Sequence, residues 1–272
     1  MIHSVSDTIT LHTGNSVPGY GFGTGGLRDD TLHAVRDALA DGYRSIDSGQ
    51  RYGNERDIGL AVAQSGISRK DITLSTKWCA PFQVDYGALE IPSVQEIVET
   101  LKESVVRLNN GRGVDHGGYI DLVLLHHAGP NREWRERGWK ALSEAWEAGW
   151  VRDIGVSNFG IKQLESLSAP KPAICQLELN PWIQQKEVVK YCQERGIVVQ
   201  IGTTSLVDIY CLDGVYRKGS FPFLDHRRRK EYRLIKISFD FELTNEEMMA
   251  LDGLDQGAQG RQTLVDSDNL PE

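Results

Sequence analysis

Cysteine, surplus positive charge and long apolar runs are all scarce in this chain of 272 residues. Its four cysteines, Cys79, Cys175, Cys192 and Cys211, form no CxxC pair and stand at no Cys/His spacing that suits a metal. No structural zinc and no other metal is expected, and buried, reduced thiols in the cytosol are. No stretch approaches the roughly 18 uninterrupted apolar residues of a transmembrane helix. The opening "MIHSVSDTITLHTG" lacks the basic start and apolar run of a secretory signal. The expected location is therefore cytoplasmic. The formal net charge is −8, so phosphate-rich partners such as nucleic acid or a membrane surface are repelled on average. A Rossmann fingerprint is missing too: no GxGxxG stands between a strand and a helix, and no apolar helix starts within "GFGTGG" (21–26).

What is present is ordinary for a globular protein, with 40% hydrophobic and 25% charged residues. No linker-like composition shift or internal repeat appears before residue 202. The reading is a single domain over 1–272, a length at which α/β barrels are common. Short apolar runs alternate with helix-period segments. "YRSID" (43–47) follows "DDTLHAVRDALADG", which has an Asp cap and stops at Gly42. "ITLSTK" (72–77) follows "NERDIGLAVAQSG", and "YIDLVLLH" (119–126) follows a long helix pattern started by Pro92. "DIGVS" (153–157), "AICQLEL" (173–179) and "GIVVQIG" (196–202) complete the series. With "VPGYGFG" (17–23) as the first, there are seven strand candidates, and strands apolar on both faces indicate a parallel sheet covered by helices. A TIM barrel needs eight strands, whereas a doubly wound sheet needs five or six.

After Gly202 the alternation fails, leaving an irregular segment over 203–238. It contains a dense basic cluster, "HRRRK", with Arg233 and Lys236 close behind. On its own such a run fits a nucleic-acid patch, a localisation signal, a phosphate site or a solvated helix face.

In a parallel barrel the chemistry sits at the C-terminal ends of the strands. Those ends bring Asp47, Tyr52 just beyond it, Lys77 and His126, then Ser157, Asn158, Gln176 and Asn180. A lone Asp or Lys at a strand end is ordinarily a cap or a surface charge, and a lone His after "LVLL" a satisfied near-core residue. Together they describe a general acid. A tyrosine titrates near 10, and a neighbouring ammonium favours its phenolate. A carboxylate would hold the lysine, and a histidine would orient a substrate oxygen as a carbonyl becomes an alkoxide.

Five blocks carry a family resemblance: "IDSGQRYGNERDIG" (46–59), "LSTKW" (74–78), "YIDLVLLHH" (119–127), "IGVSNF" (154–159) and "QLELNPWIQQ" (176–185). In order and spacing they resemble the signature blocks of the aldo-keto reductases, and "FDFELTNEEMMALDGLDQG" (239–257) resembles that family's C-terminal helix and tail, here 242–272. The resemblance implies a TIM barrel with NADPH across its C-terminal rim, no metal, a small carbonyl substrate and a monomer. It puts Asp47, Tyr52, Lys77 and His126 at the catalytic positions, with Tyr52 as proton donor. Trp78, His127 and Trp182 would line the substrate pocket. Gly23, Thr24, Ser157, Asn158 and Gln176 would hold the nicotinamide end.

The match breaks after the seventh strand. An aromatic ring that stacks on the nicotinamide in the family would fall on Gly202 or Thr203. "FPFLDH" falls on the family's phosphate turn, so that Asp225 replaces its lysine and His226 its serine. An anion there repels a phosphate by on the order of 1 kcal/mol. Three readings follow. Arg228 and Arg229 supply a substitute phosphate grip, since Arg forks suit phosphate oxygens; the chain has left nicotinamide chemistry for a non-redox acid/base step; or the barrel is incomplete around its seventh helix and eighth strand. A non-catalytic binding module on the same barrel would lack a member of the catalytic set, and none is missing.

Overall fold

The computed structural model describes residues 7–79, 90–203, 220–225 and 244–261. Two short strands come first, β1 (Thr8–Thr10) and β2 (Ser16–Pro18), paired antiparallel with Ile9 opposite Val17. Eight parallel strands then close on themselves: β3 (Gly21–Gly23), β4 (Ser45–Asp47), β5 (Thr73–Trp78), β6 (Ile120–Leu125), β7 (Val151–Ser157), β8 (Ile174–Glu178), β9 (Val198–Thr203) and β10 (Ser220–Asp225). Each pairs with its neighbours in chain order. Residue Phe223 of β10 stands opposite Gly202 on one side and Gly21 on the other, which completes the ring. This is the TIM (β/α)8 architecture.

Six helices follow β3 to β8 in turn: α1 (Thr31–Ala40), α2 (Glu55–Gln64), α3 (Val94–Leu108), α4 (Arg132–Glu147), α5 (Ile161–Glu165) and α6 (Lys186–Glu194). A further helix, α7 (Asn245–Asp252), lies near the C-terminus. All six residues of β6, "IDLVLL", are buried, because helices cover its outer face and packed side chains its inner one. Helix α3 buries Ile97, Leu101, Val105 and Leu108 along one stripe. Full burial of each such side chain stabilises the fold by roughly 1.5–3 kcal/mol. The β1–β2 hairpin closes the barrel end away from the strand C-termini, where Leu11 and Val17 pack with Leu122, Leu124, Ala173 and Ile174. Asp153 is fixed there by Thr13 at 2.6 Å and Asn15 at 2.9 Å; burial pushes its carboxyl up, and those two hydrogen bonds oppose the rise.

Four details differ from the sequence reading. The run 17–23 divides between two elements: Val17 and Pro18 belong to the hairpin, a bend intervenes at Gly19, and only 21–23 enters the barrel. The barrel is closed, with an eighth strand where no strand pattern was visible. Pro222 explains the miss, since a residue without a backbone N–H argues against a strand paired on both sides. Helix α3 starts at a Ser93–Glu96 capping box, with Pro92 just outside it. Asp30 stands at the N-cap of α1 but makes no side-chain cap bond; it is Thr31 that donates to the Arg28 carbonyl, at 2.7 Å. The rest of 203–238, with Arg228 and Arg229, lies outside the described residues.

Candidate active site

Strand pairing brings the ends of β4, β5 and β6 side by side, with Asp47 in register with Ser75 and Lys77 with Leu124. Alternation along β5 turns Ser75 and Lys77 into the barrel and Thr76 and Trp78 toward the helices. Inside, the Lys77 ammonium donates to the Asp47 carboxylate and, at 2.7 Å, to the Ser48 carbonyl. Ser75 donates to the other Asp47 oxygen at 2.8 Å. Lys77 is 1% exposed, and an ammonium so buried persists only when paired. Burial alone lowers its pKa, yet the charges of Asp47 and Tyr52 outweigh that and leave it raised, so Lys77 is a fixed cation across the neutral range.

Tyr52 ends a single 3-10 turn, Gln50–Tyr52, between β4 and α2. Its ring centroid lies 5.2 Å from the Lys77 ammonium, and its hydroxyl lies 3.4 Å from Nε2 of His126. The two rings meet edge to face at 5.4 Å and 83°. Gly49 permits this approach, because a Cβ there would come within 3.3 Å of His126 Cε1 and 3.4 Å of the Tyr52 ring. Behind the turn, Asn54 accepts from Ser48 Oγ at 2.8 Å and donates to the Thr24 carbonyl at 2.9 Å.

His126 directly follows β6, its amide bound to the Trp78 carbonyl. Burial, then the nearby charges of Lys77, His127 and Arg51, hold its pKa well below the usual histidine range, so the ring is neutral at pH 7. Its Nδ1 is buried without a hydrogen-bond partner. An orphaned N–H is rarer than an orphaned acceptor, which assigns the proton to Nε2, facing the Tyr52 oxygen. His127 is pushed down to about 4, by burial and then by Arg51. Its Nδ1 accepts from the Gly129 amide at 3.0 Å, so its Nε2–H points at Cys79 Sγ, 3.2 Å away. Burial pushes that thiol up to about 11, and Arg51 pulls it the other way. His127, Cys79 and Arg51 therefore stand together just beyond Tyr52 and His126.

A second polar group lies across the barrel mouth. Asn158, in the left-handed region at φ 58°, donates from its side chain to the His126 carbonyl and to Ser157 Oγ, both at 3.0 Å. Ser157 Oγ lies 3.4 Å from Gln176 Oε1, and Gln176 donates to Gln200 at 2.9 Å. Among the described residues, a Cβ added at Gly202 would meet the Gln176 side chain at 3.7–3.8 Å, an ordinary contact distance, so Gly202 stands beside that amide. Hydroxyl and amide groups on adjacent strand ends offer both donors and acceptors, which is the chemistry a nicotinamide carboxamide needs. Gly23, on β3, pairs with Asp47 of β4 and with Asp225 of β10. Thr24 is fully buried and spends its hydroxyl on the Asp47 carbonyl at 2.9 Å, so it braces the end of β4 from behind.

The structure places the two tryptophans expected at the pocket as follows. The Trp78 indole faces α4, where a Cβ added at Gly138 would lie 2.9 Å from its ring, and it belongs to the main core. It is one residue out of phase with Lys77 on β5. Trp182 lies in the loop after β8 beneath the chain at 256–260, its carbonyl accepting from the Gln256 amide at 2.7 Å. The residues that sequence reasoning passed over are Ser48, Asn54, Glu55 and Gln200. The first three fall inside "IDSGQRYGNERDIG". Gln200 is the one polar residue in the run "VVQIG" of β9, where an apolar strand interior is expected.

Comparison with known proteins gives a consistent result. Residues 20–247 match the Aldo/keto reductase family. The chain is 30% identical over 278 residues to a glyoxal reductase of Bacillus subtilis, with 93% of this chain and 94% of that protein covered. It is 36% identical over 189 residues to a methylglyoxal reductase of Escherichia coli O157:H7, covering 67% of this chain and 64% of the relative. A crystal structure of an aldo/keto reductase from Brucella melitensis superposes with a TM-score of 0.79 at 27% identity, over 92% of this chain and 100% of that one. A Bombyx mori aldo-keto reductase in complex with NADP shares the fold at a TM-score of 0.78 and 24% identity, with 98% of each chain covered.

Proposed function

The chain belongs to the aldo/keto reductase family of oxidoreductases, and from that premise we propose that it reduces a small aldehyde or ketone with NADPH, using Tyr52 as the proton donor. The observation that carries this reading is the buried Lys77–Asp47 pair beneath Tyr52, with a neutral His126 3.4 Å from its hydroxyl. Carbonyl reduction takes one hydride and one proton. When bound, the nicotinamide supplies the hydride; Ser157, Asn158 and Gln176 are the residues that would hold its carboxamide. Tyr52 supplies the proton. As its O–H bond breaks, the charge left on the phenol oxygen is stabilised by the Lys77 ammonium. Asp47 and the Ser48 carbonyl keep that ammonium in place, so no reorganisation is needed at the moment of transfer. The neutral His126 donates from Nε2 to the substrate oxygen and leaves Tyr52 as the stronger acid of the two.

The relatives named for glyoxal and methylglyoxal support a small, reactive carbonyl as the substrate class. Gly202, beside Gln176, itself carries no side chain to stack on a nicotinamide there. The test is direct. Titrating the purified protein with NADPH gives saturable quenching of protein fluorescence, and adding methylglyoxal gives steady loss of absorbance at the dihydronicotinamide band. No saturable binding up to millimolar cofactor removes the reductase reading.

A further inference from the structure

Glu55 is a buried carboxylate that the reaction above leaves unused. It opens α2, three residues after Tyr52, and is 2% exposed. Donors from two other elements converge on it: Thr76 Oγ1 on one oxygen, and Ser104 Oγ at 3.1 Å and Arg107 Nε at 2.8 Å on the other. Gln50, two residues before Tyr52, donates to the Thr100 carbonyl at 3.0 Å and to Ser104 Oγ at 2.9 Å. The segment bearing Tyr52 is thus fastened to α3 at both ends, and through Glu55 to β5. Thr76 and Lys77 are consecutive on that strand and point to opposite faces. The outward hydroxyl holds α2, while the inward ammonium faces the Tyr52 ring. A shift of α2 against β5 therefore changes the distance between Tyr52 and Lys77.

We propose that Glu55 is a positioning residue for the proton donor: its clamp on Thr76 sets the separation of Tyr52 from Lys77. The inference rests on Tyr52 being the acid. Arg107 and Ser104 satisfy the second oxygen of Glu55, so the bond to Thr76 is the part that reaches the site. The groups around Tyr52 that respond to pH or carry charge are Lys77, Asp47, His126 with His127 behind it, and Arg51 on its own turn.

The test is Thr76→Val, which removes the hydroxyl at nearly constant shape and leaves Glu55 bound to α3, alongside Glu55→Gln. Both are assayed with NADPH and methylglyoxal for kcat, KM and pH profile, and for thermal midpoint. Positioning predicts that kcat falls about tenfold or more, since small misplacements of catalytic groups are costly, while KM stays within about twofold. It also predicts that the alkaline limb of kcat moves up by about half a pH unit or more. The sign follows because an ammonium held farther away stabilises the phenolate less, so Tyr52 keeps its proton to higher pH. A folded Thr76→Val protein with wild-type kcat and an unmoved limb overturns the proposal. So does a loss of kcat that merely tracks the fraction unfolded, with no shift of the limb. Tyr52→Phe is the control: if it keeps full activity, the reading of the acid itself has failed; if it is inactive while both clamp variants match wild type, only the positioning role has failed.

Discussion

His126 and Tyr52 meet edge to face, with Nε2 of the imidazole 3.4 Å from the phenol oxygen and ring planes at 83°. The histidine is neutral because it is buried and because cations stand around it. A protonated imidazole there would compete with Tyr52 as the acid. A neutral one can only orient the oxygen that Tyr52 protonates. The placement of Lys77, in the barrel and paired to Asp47, keeps both rings in these roles.

Separating the buried pair should be costly. Asp47→Ala leaves the Lys77 ammonium without its carboxylate, and breaking a buried ion pair costs about 3–5 kcal/mol. Urea unfolding measures the loss, and the double variant Asp47→Ala/Lys77→Met should recover part of it. Lys77 is raised in the fold, so the stability it contributes is complete below the unfolded lysine value near 10.4 and fades as pH rises through the higher folded value. The wild type should therefore lose more stability at strongly alkaline pH than the double variant does.

On the acid side two histidines contribute. His127 is near 4 in the fold and His126 is also depressed, whereas an unfolded histidine titrates near 6.5. Between those values the unfolded chain binds more protons, so stability falls as pH drops from about 6.5 to about 4. The slope of thermal midpoint against pH in that window should be shallower in His127→Asn. An unchanged slope would remove His127 from the account.

Trp78 should matter to folding and not to substrate. Trp78→Ala empties a site against Gly138 and Leu125, and a buried tryptophan truncated to alanine costs about 3–5 kcal/mol. The KM for methylglyoxal should stay within about twofold. A large rise in KM with modest loss of stability would return Trp78 to the pocket.

Gly202 is a place where function can be added. Among the described residues its Cβ direction meets the Gln176 side chain at an ordinary contact distance, so Gly202→Ala should cost little. Gly202→Tyr offers a ring to the nicotinamide, and a stacked pair worth about 0.5–1.5 kcal/mol tightens NADPH roughly two- to tenfold. Fluorescence titration of the two variants checks this.

Much of the barrel could be read from the sequence because a strand buried on both faces must turn polar where it reaches the rim. Asp47, Lys77 and His126 are among several candidates on that ground, the family resemblance singles them out, and the structure brings them together with Tyr52. The two-residue period puts Trp78, one step past Lys77, on the outer face of β5 against Gly138. Strand β10 was hidden by Pro222, which is tolerated where the ring of strands must close between β9 and β3. Glu55 and Asn54 were invisible as site residues because their partners Thr76 and Thr24 are distant in sequence and meet them only in the fold. Arg228 and Arg229, expected to grip the cofactor phosphate, lie outside the described residues.

The central claim is that Tyr52 delivers the proton, and a single-turnover experiment addresses it. Wild-type protein and Tyr52→Phe are each loaded with NADPH, mixed with methylglyoxal, and followed at the dihydronicotinamide band. The account predicts that the variant binds NADPH like wild type and oxidises it about 10²–10⁴-fold more slowly, the range lost with a general acid. Oxidation at the wild-type rate by Tyr52→Phe would contradict it.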